Sequence, residues 1–512
     1  MKKSLLSPKH GMVLTLLLAG CYLPSGPCLA QDADLSDPTP VFKRADPLGP
    51  VIEARPGESI VLDVFGCVAE ALRTNDRLQA ERLRALELQG LKKQAMSTGM
   101  PTLDLVGDWS RGRDPRFALD STFGGGDGGG FAPPPGSPDW FQDWLGGFGS
   151  FIPAPEEIAA QTFITGSVDL NWKINPVQII GATGAARLAI DQQVLSVTAV
   201  EQTTAENTVG AYYSIIRAAE KIQAVEAELT NQTELLDIMK LRYELGMSTR
   251  LDTLQAAVTL ANIQPQLSIA KANLRNEGSR LNAIMGRRPE ASLKVANEQF
   301  VERDPLNENR ALELAQIRPE LEATALFIDI LEKNKQAQVA DYRPYLTMYG
   351  SYGYVGKTFD SVFDDGHDTW RASVALNIPI FDGLLVRGKV AETEGRIRRS
   401  EAELTGRRRD VQVEVLEILA NLRMARQVLD AVILNQERSE EVLDESLLML
   451  QMGKVNYLDV LVSESNRAEA RSNVIDARYE VLVLTSSLKR AVGYSPLVPL
   501  NSIPGLVAEV SR

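Results

Sequence analysis

One short turn, written twice, limits what this chain can fold into more than any other feature. Leu245-Gly246-Met247-Ser248-Thr249-Arg250-Leu251-Asp252 and Met452-Gly453-Lys454-Val455-Asn456-Tyr457-Leu458-Asp459 each set a glycine at the end of one helical stretch. A polar residue and, three positions on, an aspartate follow, which is the pattern of a helix stop answered at once by a helix start. At that third position Asp252 and Asp459 reach back to free backbone N–H groups in the positive field of a helix N-terminus, so capping is their elementary role. The register 453 − 246 = 207 continues without a gap through Leu254/Leu461, Ala261/Ala468, Leu281/Leu488 and Gly286/Gly493. A duplicated helical hairpin is the expectation.

Upstream the offset is larger. Leu78/Leu321 gives 321 − 78 = 243, Pro101/Pro344 gives 344 − 101 = 243, and Ser167/Ser373 gives 373 − 167 = 206. The difference of 37 residues falls between two strand-like stretches of the first copy. There the chain reads GGGDGGG and APPPGSPDW, so residues 112–160 are expected to be a long irregular loop inserted at a hairpin tip.

The resulting layout has a leader at 1–30, an extended tether at 31–58, repeat 1 at 59–286, a polar connector at 287–309, repeat 2 at 310–493 and a loosely ordered tail at 494–512. In repeat 1 a first helix runs from about 60 to 98, and apolar residues then change from helical to alternate spacing. Leu103, Leu105, Gly107 and Trp109 oppose Thr102, Asp104, Val106 and Asp108, while Ile164, Val168, Leu170, Trp172 and Ile174 oppose Thr165, Ser167, Asp169, Asn171 and Lys173. A helix from Pro176 to Leu245 follows, then its partner to about Met285, with a local kink expected at Pro265. Repeat 2 goes through the same order, with strands at 344–354 and 369–380.

Lys2, Lys3 and the apolar run Met12–Gly20 form an export signal, too short for a membrane span. Leu18-Ala19-Gly20-Cys21 has the form of a lipobox, which would make Cys21 an acylated first residue; Cys28-Leu29-Ala30 is the alternative cleavage site. Cys67 is then expected to be a small core residue, without a disulfide framework. The formal charge of −13 argues against nucleic acid, which needs a basic face. Nucleophile elbow, P-loop and paired-cysteine motifs are absent, so no enzyme, cofactor or metal is expected; the acidic group Asp364, Asp365, His367 and Asp368 reads as a solvated loop.

Four amphipathic strands of bilayer-crossing length cannot close a barrel alone, and lipid does not tolerate open sheet edges. If the strands lie in lipid, and not in a soluble sheet with one face packed on helices, several chains must pool strands, for example 3 × 4 = 12. The long helices, packed like coiled coils around the same axis, would continue such a barrel as a tube. Trp109, Trp172 and Trp370 near strand ends fit aromatic girdles. A periplasmic coiled-coil adaptor or structural envelope protein is the competing reading, and it accounts for the rods but not for the strands.

Together, Pro101-Thr102-Leu103, Arg318-Pro319-Glu320-Leu321, Pro344-Tyr345-Leu346, Leu376-Asn377-Ile378-Pro379-Ile380-Phe381-Asp382-Gly383 and the two turns resemble the TolC family of outer-membrane efflux proteins. The resemblance covers about residues 60 to 493. It implies an α+β membrane protein built as a homotrimer. A 12-stranded β-barrel in outer-membrane lipid would continue into a periplasmic α-helical barrel, serving as the exit duct of a tripartite efflux or type I secretion system. It further implies that Leu245, Gly246, Met247, Met452, Gly453 and Lys454 meet a periplasmic adaptor below which an inner-membrane pump sits, with Lys454 departing from the apolar pattern. Asp459, with Asp252, would form a periplasmic gate, in which the companion position Val462 carries no charge.

Overall fold

The computed structural model describes residues 61–112, 136–149, 161–297, 301–359 and 366–507. The leader, Cys21, the tether, Asp364 and Asp365 lie outside these residues, and all described residues belong to one unit beginning at Glu53.

The chain opens with strand β1 (Val61–Leu62) and helices α1 (Val64–Thr74) and α2 (Asp76–Ser97). A single helix was expected here. The break falls at Asn75, whose ψ of 122° is extended and whose Oδ1 accepts from Leu78 N–H at 3.1 Å, capping α2. Its Nδ2 donates to Ile284 C=O at 2.8 Å, a partner 209 residues away that hydrophobic spacing cannot reveal.

Strand β2 (Thr102–Gly112) follows, then α3 (Asp139–Gly149), β3 (Gln161–Ile174) and the rods α4 (Pro176–Glu244) and α5 (Arg250–Ile284). Helix α3 corrects the expectation of an irregular loop throughout 112–160. Pro265 does not break α5; both Pro265 and Ala261, whose carbonyl loses its partner, lie on the exposed face where water can serve. The connector contributes β4 (Lys294–Val295), parallel to β1.

Repeat 2 comprises α6 (Glu308–Ala315), α7 (Pro319–Val339), β5 (Tyr345–Gly356), β6 (Asp368–Asn377), α8 (Leu385–Gln451) and α9 (Tyr457–Ala491). The rods α4 and α8 have 69 and 67 residues, and α5 and α9 have 35 each. At 1.5 Å per residue each longer rod is roughly 100 Å. Among the described residues no helix is long and apolar enough to cross a membrane.

The large strands form one antiparallel sheet, β2-β3-β5-β6, in which β3 and β5 from different repeats are neighbours. Its register aligns the apolar faces. Leu105 lies opposite Val168, Val168 opposite Tyr352, and Tyr352 opposite Trp370. One residue away, Asp104, Asp169, Ser351 and Arg371 form the matching polar row, with Ser351 Oγ donating to Asp169 Oδ1 at 2.7 Å. Side chains alternate along a strand, so these rows occupy opposite faces of the whole sheet. Trp109, Tyr352, Tyr354 and Trp370 mark the apolar face near the hairpin tips, and Trp172 marks it near the rods.

The core is carried by the helices. Cys67, Ala71, Tyr212, Leu281, Met285 and Tyr479 bind α1 to α4, α5 and α9, and burial pushes the Cys67 thiol up to about 12. Leu419, Leu422, Leu488, Leu500, Ile503 and Leu506 form a second cluster, so the tail through residue 507 folds back onto the rods. Asn307 N–H donates to Leu506 C=O at 2.8 Å and Arg310 Nε to Pro504 C=O at 3.1 Å. The loosely ordered tail expected from sequence is thus packed over 494–507, because its leucines and isoleucine find partners on α6 to α9.

Candidate functional site: the helix-turn tips

Both turns close alike. Gly246 and Gly453 each have φ of 70°, and Met247 N–H and Lys454 N–H donate to Arg242 C=O at 2.7 Å and Met449 C=O at 2.9 Å. This is the Schellman closure that requires a left-handed residue. A Cβ on either glycine would meet no atom within 4 Å, so the requirement is conformational and not steric crowding. Gly246→Ala is therefore expected to cost about 1–2 kcal/mol. Roughly tenfold faster hydrogen exchange at the amides of 243–250, with exchange along the upper rods unchanged, is the measurement that checks it.

Next to each glycine the apolar side chains stand in solvent. Leu245 is 65% exposed, Met247 59% and Met452 50%. Lys454 is also exposed. The two tips are held side by side by Leu235, Met239, Ala256, Leu443, Leu450, Tyr457 and Val460. Arg242 Nη1 donates to Leu450 C=O at 3.1 Å, and Gln232 Nε2 to the Tyr457 hydroxyl at 3.0 Å. Just above, Glu464 accepts from Arg467 at 2.6 Å. Sequence reading missed the pairings of Arg242 with Leu450 and of Gln232 with Tyr457, because partners more than 200 residues apart leave no local pattern.

The two aspartates differ. Asp252 Oδ2 accepts from Ser248 Oγ at 2.9 Å, Thr249 N–H at 2.8 Å and Thr249 Oγ1 at 2.7 Å. Its partial burial raises the carboxyl's pKa, but the hydrogen bonds from Thr249 and Ser248 outweigh that and hold it below the ordinary value. Asp459 is exposed and receives Asn456 N–H at 3.0 Å. Both carboxylates thus accept one backbone N–H in a capping box; Asp252 has two hydroxyl donors in addition, and Asp459 is the more exposed.

A second constellation lies far from the tips. Arg318, 3% exposed, pairs with Glu320 and Glu414, and Arg490 pairs with Glu206 and Glu414. These groups join α4, α7, α8 and α9, and they give Arg318-Pro319-Glu320-Leu321 its physical reason. Pro319 starts α7, Leu321 packs beneath it, and the guanidinium before it is buried among carboxylates.

The family model for outer membrane efflux proteins matches residues 162–287 and 312–494, more than half of the chain. Outer membrane protein TolC of Vibrio cholerae is 21% identical over 288 residues, 55% of this chain and 66% of the relative. Alkaline protease secretion protein AprF of Pseudomonas aeruginosa is 22% identical over 289 residues, 55% of this chain and 60% of that protein. The matched stretch thus spans less than two thirds of either relative. In fold, the chain is similar to the outer membrane protein VceC of Vibrio cholerae, with a TM-score of 0.69 and 18% identity over 84% of this chain and 96% of that one. With its paired rods, four-stranded sheet and doubled glycine turns, the chain belongs to the outer membrane efflux protein family.

Proposed function

We propose that this protein is an outer-membrane exit duct, passing small molecules or proteins delivered from a pump below to the outside. The observation that carries the reading is the apolar face shared by all four strands, set back to back with a continuous polar face. A bilayer outside and a water-filled lumen inside ask for that arrangement. The outer strands β2 and β6 each pair on one side only, so closure requires further copies; three would supply twelve strands. The exposed apolar residues beside Gly246 and Gly453 then lie roughly 100 Å from the membrane by helix rise, in reach of an adaptor and an inner-membrane pump. Lipid anchorage through Cys21 is compatible with this placement. Tripartite efflux and type I secretion both fit, and the relative AprF is named for protease secretion.

In planar bilayers the purified protein should form a water-filled channel of stable conductance, and membranes washed in carbonate should retain it. Release by carbonate together with absence of conductance would favour the adaptor reading instead. Within the duct, Asp459 from each chain forms a cation-attracting constriction, with Asp252 as its supporting cap. Asp459→Asn is expected to lower the preference for cations over anions measurably, since each carboxylate contributes about 1 kcal/mol to a cation 4 Å away even in water. Unchanged selectivity would remove Asp459 from the gate. Disulfide or photo-crosslinking from Met247→Cys to co-purified periplasmic proteins tests the docking role of the tip.

A further inference from the structure

We infer that helix α3, Asp139–Gly149, lies along the outer surface of the bilayer with its aromatic face seated among lipid headgroups, as an interfacial anchor built into the first hairpin. The inference rests on the reading that the apolar sheet face meets lipid. At 100° per residue, Trp140, Phe141 and Trp144 fall on one side of the helix and Asp139, Gln142 and Asp143 on the other. Trp140 is 70% exposed and Trp144 55%. The rings are arranged against one another: Phe141 stacks on Trp144 with centroids 6.0 Å apart, and Trp140 meets Phe141 edge to face at 5.7 Å. Such a cluster presents a wide apolar surface from a helix of roughly 16 Å, far too short to span a bilayer but suited to lie in its interface.

The helix is tethered where that interface is expected. It belongs to the connection between the tip of β2 and the tip of β3, the end at which Trp109 and Trp370 stand on the sheet's apolar face. Aromatic residues at that end mark headgroup level, so the face of α3 continues an aromatic belt. Charge argues against the main alternative, in which aromatic faces from several copies meet over the pore. Between Phe117 and Phe163 the chain has no Lys or Arg, while Asp120, Asp127, Asp139, Asp143, Glu156 and Glu157 are acidic. Copies of such a loop repel one another at close range, which opposes a meeting of their aromatic faces over the pore.

Site-directed labelling of the full chain in phosphatidylcholine vesicles tests this. An environment-sensitive fluorophore is attached at Trp140→Cys, Gln142→Cys or, as a sheet control, Leu105→Cys, in a Cys28→Ser background. Cys67 is fully buried with a raised thiol pKa and stays unlabelled. Quenching by a headgroup-nitroxide lipid is expected to be at least twofold stronger at 140 than at 142, with iodide in the water showing the reverse order. Equal lipid quenching at 140 and 142, or protection at 140 from both quenchers as burial against protein would give, overturns the inference. If position 105 is quenched by a nitroxide placed deeper in the acyl chains while 140 is not quenched by the headgroup probe, only the α3 inference fails. If neither is quenched, the sheet-in-lipid reading fails with it. As a check free of labels, Trp140→Phe/Trp144→Phe should lose part of the tryptophan quenching that brominated phosphatidylcholine produces in the parent; an unchanged quenched signal overturns the anchor.

Discussion

Glu414→Ala is expected to destabilise the helical part of the protein by about 1–3 kcal/mol, the cost of removing a charged acceptor shared by two partly buried guanidiniums that each keep one other carboxylate. Glu414 holds two guanidiniums, those of Arg318 and Arg490, and Arg318 has a side chain only 4% exposed. Removal of the shared carboxylate leaves Glu320 on one side and Glu206 on the other, with two cations facing each other between them. The loss should appear as an earlier thermal transition of the far-ultraviolet helical signal in detergent. Glu414→Gln, which keeps an acceptor but not the charge, should recover part of it. An Ala variant that melts with the parent would show that Arg318 and Arg490 are satisfied without Glu414.

The same group sets a pH dependence. Burial raises the Glu414 carboxyl's pKa, but the hydrogen bond from Arg318 and the charges of Arg490 and Arg318 outweigh it, so the folded value lies below the usual 4.5. A depressed folded pKa contributes stability that is present above 4.5 and is lost as pH falls through the folded value. The parent should therefore lose more stability than Glu414→Gln as the medium is acidified below that point.

Val168→Arg and Ser167→Arg should separate cleanly although they are neighbours. Val168 sits mid-strand between Leu105 and Tyr352 on the apolar face, and Ser167 between Val106 and Gly353 on the polar one. An arginine on a lipid face near mid-membrane costs about 2–4 kcal/mol per chain. A loss of 2 kcal/mol already shifts a folding equilibrium roughly 30-fold. Val168→Arg should thus deplete the heat-modifiable oligomer in the outer-membrane fraction, while Ser167→Arg should leave it largely intact. Equal behaviour of the two variants would mean that the faces do not see different solvents.

Much of this architecture is written locally. The stop at Gly246 and Gly453, the start at Thr249 and Asn456, and the capping carboxylates of Asp252 and Asp459 are interactions within a few residues of each other, so residue type and spacing disclose them. Alternation discloses which side chains of β2 and β3 share a face, because a strand has a period of two. Helix α3 escaped because its flanking Gly and Pro dominate the composition, although Trp140 and Trp144 lie four apart as helical neighbours do. Asn75 escaped because its second partner is at Ile284, and the packed tail because Leu500, Ile503 and Leu506 are too few to show a period of their own.

By itself, then, the sequence determined the rods, their matched turns, the two-sided strands and the family. Only the tertiary structure decided that β3 lies beside β5 in the register that brings all four apolar faces together, and that Glu206, Arg318, Glu414 and Arg490 meet. The physical reason is range. Hydrogen bonds and caps act between near neighbours and alternation sorts each strand's own two faces, but the choice of a pairing partner some 180 positions away, and the offset of that pairing, leave no local pattern.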